Sequence, residues 1–388
     1  MKIYGKVSSH ECMAIFSCER GVPVTLVKNV LIVGGGIAGM CAAIELRKRG
    51  VEVDLLEADP QWRVYGAGIT ISAPSLRAFQ RVGVLETILQ RGEASEGFDL
   101  FLANGTPLGP IPGLTAAGSS ISASVGILRP TLARVLSDAT VAAGTRVRLG
   151  TTFAEASLTD GTMRPYDLII GADGIQSKVR AALFSDAPKP RYTGQVCWRA
   201  VVPRPASLQR AEMYIGGKIK AGLVPVSKDE MYLFFLEARA TPDHIDASHW
   251  PELLRRTLAE FSEPIATIRE SLGPESRIVY RPLFALMMPK PWHRDNTVLI
   301  GDAAHATTPH LASGAGLAVE DALVLAEELE RAPSLEDALH RFTTRRYDRC
   351  RLVVDNSVRL GDMERDGESP QVYETLMRAS TAALAAAI

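Results

Sequence analysis

Several features that would mark a chain for particular classes of function are scarce or missing here. Cysteine is scarce: there are five in 388 residues, at positions 12, 18, 41, 197 and 350, with no C-x-x-C pair. An odd, scattered set excludes a disulfide framework and a zinc knuckle, and reads as the reduced thiols of a cytoplasmic protein. An excess of one charge is also missing. Lys and Arg number 43 against 44 Asp and Glu, for a net charge of -1, so there is no basic stripe to displace counterions from a nucleic acid. Long apolar runs are absent. The most apolar stretch, residues 30–44, is interrupted by glycines and falls short of the ~18 residues a membrane span requires. At the N-terminus, Lys2, Lys6, Glu11, Glu19 and Arg20 break any leader-like apolar core.

What remains is ordinary folded composition. Hydrophobic residues make up 46% and charged residues 22%, enough apolar side chain for a full core. The length allows two or three domains at roughly 150 residues each. Residues 1–27 look unlike the rest of the chain and read as an N-terminal extension. From residue 28 the pattern is α/β: a buried strand over 29–33, a glycine turn, a helix to about 49 with Gly50 in the C′ position, and a strand over 51–57. Helical spacing continues over 73–91 and 129–142. Residues 103–125, rich in Gly, Pro, Ser and Ala, read as loop and strand edge. Period-two alternation over 195–202, 212–215 and 230–236 marks an antiparallel sheet, with one helix near 251–261. The buried-strand pattern returns at 297–300, and helices come next over about 316–331 and 335–360.

The expected architecture is therefore α/β. A Rossmann-like dinucleotide-binding domain occupies 28–188 and 292–388, the latter with a helical C-terminal segment. A β-rich α+β domain at 189–291 splits it.

Three motifs carry chemistry. Gly34-Gly35-Gly36-Ile37-Ala38-Gly39 follows a strand and opens a helix, with Glu57 closing the next strand. In that context Gly34 allows the tight turn, Gly36 lets a pyrophosphate approach the backbone, Gly39 lets helix and sheet pack closely, and the acid accepts hydrogen bonds from a ribose diol. A second strand ends in Gly171-Ala172-Asp173-Gly174 and leads directly to a helix, again aiming backbone donors at a ligand. The third motif is Gly301-Asp302-Ala303-Ala304-His305, continuing to Pro309 and to Gly314-Ala315-Gly316, which open a helix. An acid after a buried strand suits a sugar hydroxyl, and the helix N-terminus suits a developing anion.

The order of these motifs resembles the single-component FAD-dependent aromatic hydroxylases, the group A flavoprotein monooxygenases, over about residues 28–360. The resemblance implies that Gly34, Gly36, Gly39 and Glu57 bind the ADP half of FAD. It also implies that Asp173 and Gly174 serve FAD and a transient nicotinamide cofactor, that Gly301 and Asp302 contact the ribityl chain, and that Pro309 lines the isoalloxazine. Arg129, in Leu128-Arg129-Pro130, and Arg63, ahead of Tyr65-Gly66-Ala67-Gly68, match arginines that contact FAD. The implied activity uses NADH or NADPH and O2 to hydroxylate a small electron-rich aromatic or heteroaromatic compound through a flavin C4a-hydroperoxide. Where many relatives read Gly-Gln-Gly-Ala-Asn, this chain reads Ala312-Ser313-Gly314-Ala315-Gly316, which keeps the backbone but not the glutamine. The Gly-Trp-x-Trp-x-Ile-Pro signature of flavin halogenases is absent.

Two other readings keep the fold: a flavin-dependent reductase or dehydrogenase of a prenyl or polyketide substrate, and a non-catalytic flavin-binding scaffold. Intact motifs disfavour the scaffold. In the β-rich region, alternation places Gln195, Cys197, Arg199 and Val201 on one face and Trp198 on the other. Arg199 is a candidate anchor for an anionic substrate, set against a simple ion pair. Tyr214, Tyr232 and Phe234 read as sheet core or pocket wall. His305 reads as structural and no metal is expected; His310 is a candidate for the substrate chamber. The Leu and Ala stripe after Gly316 reads as core or as a homodimer face.

Overall fold

Four apolar side chains in succession, from Val30 to Val33, are buried in the first strand, the pattern of a strand covered on both faces. The computed structural model describes residues 25–64, 66–113, 121–153, 166–216 and 218–388. Residues 1–24 of the expected extension, and Tyr65, lie outside the described residues.

In chain order the strands are β1 (Asn29–Val33), β2 (Glu52–Glu57), β3 (Gly68–Ser72), β4 (Glu93–Ser95), β5 (Gly97–Leu102), β6 (Pro107–Pro112), β7 (Ser124–Leu128), β8 (Arg146–Leu149), β9 (Leu168–Gly171), β10 (Arg191–Pro203), β11 (Ala211–Gly216), β12 (Ile219–Pro225), β13 (Glu230–Ala238), β14 (Arg277–Ala285), β15 (His293–Arg294) and β16 (Thr297–Leu299). The α-helices are α1 (Ile37–Lys48), α2 (Ala73–Val82), α3 (Leu85–Arg91), α4 (Arg129–Ala142), α5 (Lys178–Leu183), α6 (Trp250–Thr257), α7 (Ile265–Ser271), α8 (Asp302–His305), α9 (Gly314–Arg331), α10 (Leu335–Asp366) and α11 (Pro370–Ala385).

The first sheet runs β15-β16-β9-β1-β2-β8, parallel except for β15. α1 packs against α4 and α9 and is buried almost all round from Ala38 to Leu46, which its small Gly and Ala residues permit. It ends on Arg47 and Lys48, cations that suit the helix C-terminus. Gly50 takes φ 77°, the left-handed residue its position implied. α9 is buried from Gly316 to Leu329, so its apolar stripe is core rather than a dimer face.

The second sheet runs β14-β10-β13-β12-β11-β5-β6. Here the structure departs from the sequence expectation. β5 and β6 come from residues assigned to the first domain, yet β5 pairs in parallel with β11 and closes one side of the β-rich sheet. β12 and β14, where Gly222 and Pro282 blur the alternation, are strands as well. The helix expected over 73–91 is two, because Gly83 adopts φ 86° and caps α2. A third small sheet, β3-β7-β4, lies between the glycine motifs in sequence. One face of the β-rich sheet, with Val196, Trp198, Leu233 and Phe235, packs on Leu254, Leu258, Ile265 and Ile268 at α6 and α7. The opposite face is the one that carries Gln195, Cys197 and Arg199. No helix among the described residues is long and apolar enough to cross a membrane.

Candidate flavin site

The turn after β1 is built by close approach. A Cβ on Gly34 would stand 2.4 Å from the Ala172 carbonyl oxygen, and one on Gly39 would stand 2.0 Å from the Gly34 oxygen. Gly34 also takes φ 106°, which side chains rarely adopt. Gly36 differs, because a Cβ there would meet nothing within 4 Å. It is the N-cap of α1 and no side chain caps that end. The helix thus presents free backbone donors and its positive end to an open cradle, the chemistry that holds a pyrophosphate. Beside it, Glu57 accepts from Gly35 N at 2.9 Å and Asp59 N at 2.8 Å, and Trp62 Nε1 donates to the Gly35 oxygen at 2.8 Å. Arg63 is exposed and paired with Asp59 at 2.9 Å.

The turn after β9 uses its acid locally. Asp173 accepts from Ser177 Oγ at 2.5 Å and from the Lys178 and Val179 amides at 2.6 and 3.2 Å, capping α5. Its carboxylate is occupied, whereas Gly174, at φ 78°, faces open space. Arg180, buried, donates to the Ile175 and Ala303 oxygens at 2.6 and 2.8 Å, so it joins this turn to the turn after β16.

That second turn hangs on Asp321 of α9. Asp321 Oδ2 accepts from Gly301 N at 2.8 Å and lies 2.6 Å from His305 Nε2, while Oδ1 accepts from Arg346 Nε at 2.8 Å. Burial alone would raise the Asp321 carboxyl, but the His305 and Arg346 cations hold it at about 2. Burial likewise opposes a charged His305, and the Asp321 carboxylate outweighs it, holding the imidazole well above its ordinary value. His305, Asp321 and Cys350 bring donor atoms within 4.8 Å of one another. The Arg346 guanidinium reaches two of the three, Asp321 Oδ1 at 2.8 Å and Cys350 Sγ at 3.6 Å.

Pro309 opens a short turn that ends at Ala312 with φ 47°. Ser313 folds its hydroxyl back to the Leu311 oxygen at 2.7 Å and does not replace the missing glutamine. No side chain caps α9, which begins at Gly314. Gly316 packs rather than binds: a Cβ there would stand 2.1 Å from Ser75 Oγ.

Asp302 is exposed, yet desolvation raises its carboxyl, with His305 and Arg129 pulling the other way. Both hold when exposed surface opens onto a cleft walled by protein. Arg129 lies in the same cleft. Its side chain covers bare Gly66, where a Cβ would stand 2.6 Å from Arg129 Cδ. Burial and the neighbouring Arg199 lower its pKa, against Asp302 and Tyr232. Among the described residues neither the Arg129 nor the Arg199 side chain has a hydrogen-bond or ion-pair partner. Two unpaired guanidinium groups beside an unpaired acid suit a ligand with both anionic and hydroxyl groups. Cys197, Leu236, Leu283 and Phe234 form an apolar cluster on the sheet face that carries Arg199. Two surface depressions of about 390 and 340 Å³, lined by residues such as His340 and Asp348, hold none of the motif residues; the motifs converge elsewhere.

A family model described as an FAD binding domain matches residues 28–357. The chain belongs to the FAD-dependent monooxygenases. It is 32% identical over 351 residues to the Aurachin C monooxygenase/isomerase of Stigmatella aurantiaca, covering 86% of this chain and 89% of that one. It is also 32% identical over 355 residues to the 2-heptyl-3-hydroxy-4(1H)-quinolone synthase of Pseudomonas aeruginosa, covering 87% and 90%. The fold matches Klebsiella pneumoniae HpxO, solved with FAD and uric acid, at TM-score 0.78 and 22% identity, over 94% of this chain and 96% of that one. This monooxygenase is thus a flavoprotein of the single-component aromatic hydroxylase type, and the uncapped α1 with bare Gly36 fits the FAD its family binds. Sequence reasoning missed Asp321, Arg346 and Arg180, which hold the two turns. The only signal was the pair of acids, Glu320 and Asp321, in an apolar helix.

Proposed function

We propose that this monooxygenase hydroxylates a small electron-rich aromatic or heteroaromatic compound, with NADH or NADPH as reductant and O2 as oxygen donor. The observation that carries this reading is the apolar cluster of Cys197, Phe234, Leu236 and Leu283 beside Arg199, on the sheet face turned toward the Asp302 cleft. An aromatic ring lies well against such a wall, and the relative named as a quinolone synthase favours a heteroaromatic.

In this reading Gly34, Gly36, Gly39 and Glu57 hold the ADP half of FAD, and Arg129, Gly301 and Asp302 hold its middle. Arg63 would contact FAD as well, and Asp173 and Gly174 would serve FAD and the visiting nicotinamide cofactor. FAD, when bound, supplies electron transfer from NAD(P)H and the activation of O2. The protein's residues do the rest. Pro309 would shape the wall of the chamber, and the N-terminus of α9 at Gly314 would stabilise negative charge on a flavin held there. Gly316 lets that helix sit close to α2. Arg199 orients an anionic or carbonyl-bearing ring, and the apolar wall excludes water. The FAD-binding unit comprises 28–188 and 292–388, with the substrate unit, 189–291, completed by β5 and β6.

The test is a panel of quinolones, pyridines, phenols and benzoates with NAD(P)H and isotope-labelled O2. The expected result is stimulated NAD(P)H oxidation and one labelled oxygen in the product. NAD(P)H oxidation that reduces the organic compound without label would overturn the reading.

A further inference from the structure

Strand side chains usually stand perpendicular to their sheet, but the Phe234 ring lies across it. Phe234 of β13 is directly opposite Gly222 of β12 on one side and Arg199 of β10 on the other. A Cβ at Gly222 would stand 2.2 Å from Phe234 Cε1 and 2.4 Å from its Cζ. Opposed Cβ atoms are about 4.5–5.5 Å apart, so the far edge of the ring fills the place of the missing side chain. The ring therefore leans over β12 and away from Arg199. Phe234 is only part-buried, and it packs on both apolar clusters of this face, Cys197 with Leu236 and Leu283, and Val201 with Val224 and Tyr232. It is thus the apolar side chain still open to a ring that enters beside Arg199.

The residues two before and two after Phe234 on β13 close off its other directions. The Tyr232 ring lies 6.1 Å away between centroids. It cannot yield, because its hydroxyl is 2.7 Å from Thr70 Oγ1 of β3 and its ring covers bare Gly68, where a Cβ would stand 2.0 Å from Tyr232 Cδ1. Leu236 is buried against Cys197 and Leu283. A side chain at position 222 would leave the Phe234 ring one way to move, toward β10 and over Arg199 and Cys197. Non-bonded carbons settle about 3.5–4.0 Å apart, so the ring edge would have to travel more than about 1 Å. A ring over a glycine also shields the backbone beneath it, but shielding alone would affect stability and not the chamber.

We propose that Gly222 sets the width of the substrate chamber. By lacking a side chain it gives the Phe234 ring a place to lie, and the space so left beside Arg199 and Cys197 takes two fused aromatic rings. This rests on the hydroxylase reading above. With the ring over β12, the apolar wall runs from Leu283 on β14 past Cys197 on β10 to Phe234 on β13. Adjacent strands are about 4.8 Å apart, so three of them give a wall about 10 Å wide, which suits a fused pair of rings better than a single one. A methyl group at position 222 would bring the Phe234 ring back over that wall and narrow it to one ring.

The test uses FAD-loaded enzyme and two probes that differ by one fused ring, 4-pyridone and 4-quinolone, with binding read by equilibrium dialysis. The native enzyme is expected to bind 4-quinolone at least about tenfold more tightly. Gly222→Ala should weaken 4-quinolone by about tenfold or more and leave 4-pyridone within about twofold, with FAD content unchanged. In a Phe234→Ala background the same methyl should make no difference to either probe. Equal binding of the two probes by native enzyme, including none of either, overturns the proposal. So does a Gly222→Ala loss that is equal for both probes, that comes with loss of FAD, or that persists without the Phe234 ring. Should Gly222→Ala fail to fold, Phe234→Ala decides: with the ring gone, the three-ring 9-acridone should bind at least about tenfold more tightly than to native enzyme, and unchanged binding overturns the proposal. With NAD(P)H and labelled O2 added, product lacking the label while the probe selectivity holds overturns hydroxylation alone. Labelled product with no change of selectivity in Gly222→Ala overturns this assignment alone.

Discussion

His305 Nε2 lies 2.6 Å from Asp321 Oδ2, and the same oxygen takes the Gly301 amide. One carboxylate on α9 thereby fixes both ends of the turn that presents Asp302. Arg346, buried beneath it, satisfies the second oxygen.

Replacing Asp321 with Asn leaves the buried His305 cation without its counter-charge and Arg346 with Glu320 alone, a change that costs about 3–5 kcal/mol. Asp321→Asn is expected to lower the denaturation midpoint and the FAD content together. The shifts set the pH dependence. His305 is raised, so its contribution is complete below about pH 6.5 and fades only as pH climbs through its much higher folded value. Asp321 is lowered to about 2, so its contribution is complete above the ordinary aspartate range and is lost as pH falls toward 2. The gap between native and variant should be full from about pH 4 to 6.5 and close on further acidification. Urea titrations across that range check it; a gap that widens in acid contradicts the pairing.

The two glycines of the first motif should separate in experiment. Gly36→Ala adds a methyl group to open space, so apo stability should stay within about 1 kcal/mol while FAD affinity falls at least tenfold. Gly39→Ala drives a methyl into the Gly34 carbonyl and should destabilise the apoprotein by about 2 kcal/mol or more. Thermal melts of apoprotein, with FAD titration of each, distinguish them.

Gly316→Ala meets Ser75 Oγ at 2.1 Å and should cost about 1–3 kcal/mol. Adding Ser75→Gly should recover part of that loss. A double-mutant cycle with no recovery would place the constraint elsewhere.

Ala312 holds a left-handed backbone, at φ 47°. Relief of that conformation is worth about 1–2 kcal/mol, and glycine's extra freedom in the unfolded chain takes back about 0.5–1 kcal/mol. Ala312→Gly should therefore be neutral to slightly stabilising, read as an unchanged or raised melting temperature.

Much of the fold was legible because its signals are local. The strand at 29–33, the helix at 129–142 and the facing of Gln195, Cys197 and Arg199 opposite Trp198 come from periodicity alone. Gly83 split the helix over 73–91 although apolar spacing ran through it, because left-handed backbone ends a helix regardless of the residues beyond it. β5 and β6 were hidden by proline and glycine, and their partners lie far along the chain. In the site, the glycine cradle was readable from its context. The supports were not, since Arg180 to Ala303 and Asp321 to Arg346 are contacts made only by folding. Gly316 looked like a ligand-facing glycine, and only the position of Ser75 shows what it makes room for.

The parallel pairing of Phe98 with Ala211 has a consequence for how the chain is made. On a ribosome β5 emerges on the order of 100 residues before β11, a wait of roughly ten seconds at ordinary elongation rates. During that interval the β5–β6 hairpin has one edge with no partner. On β6, the outer strand in the finished sheet, Pro107, Pro110 and Pro112 remove amide donors from the edge. The nascent hairpin is thus guarded on one side and open on the other, where β11 will dock.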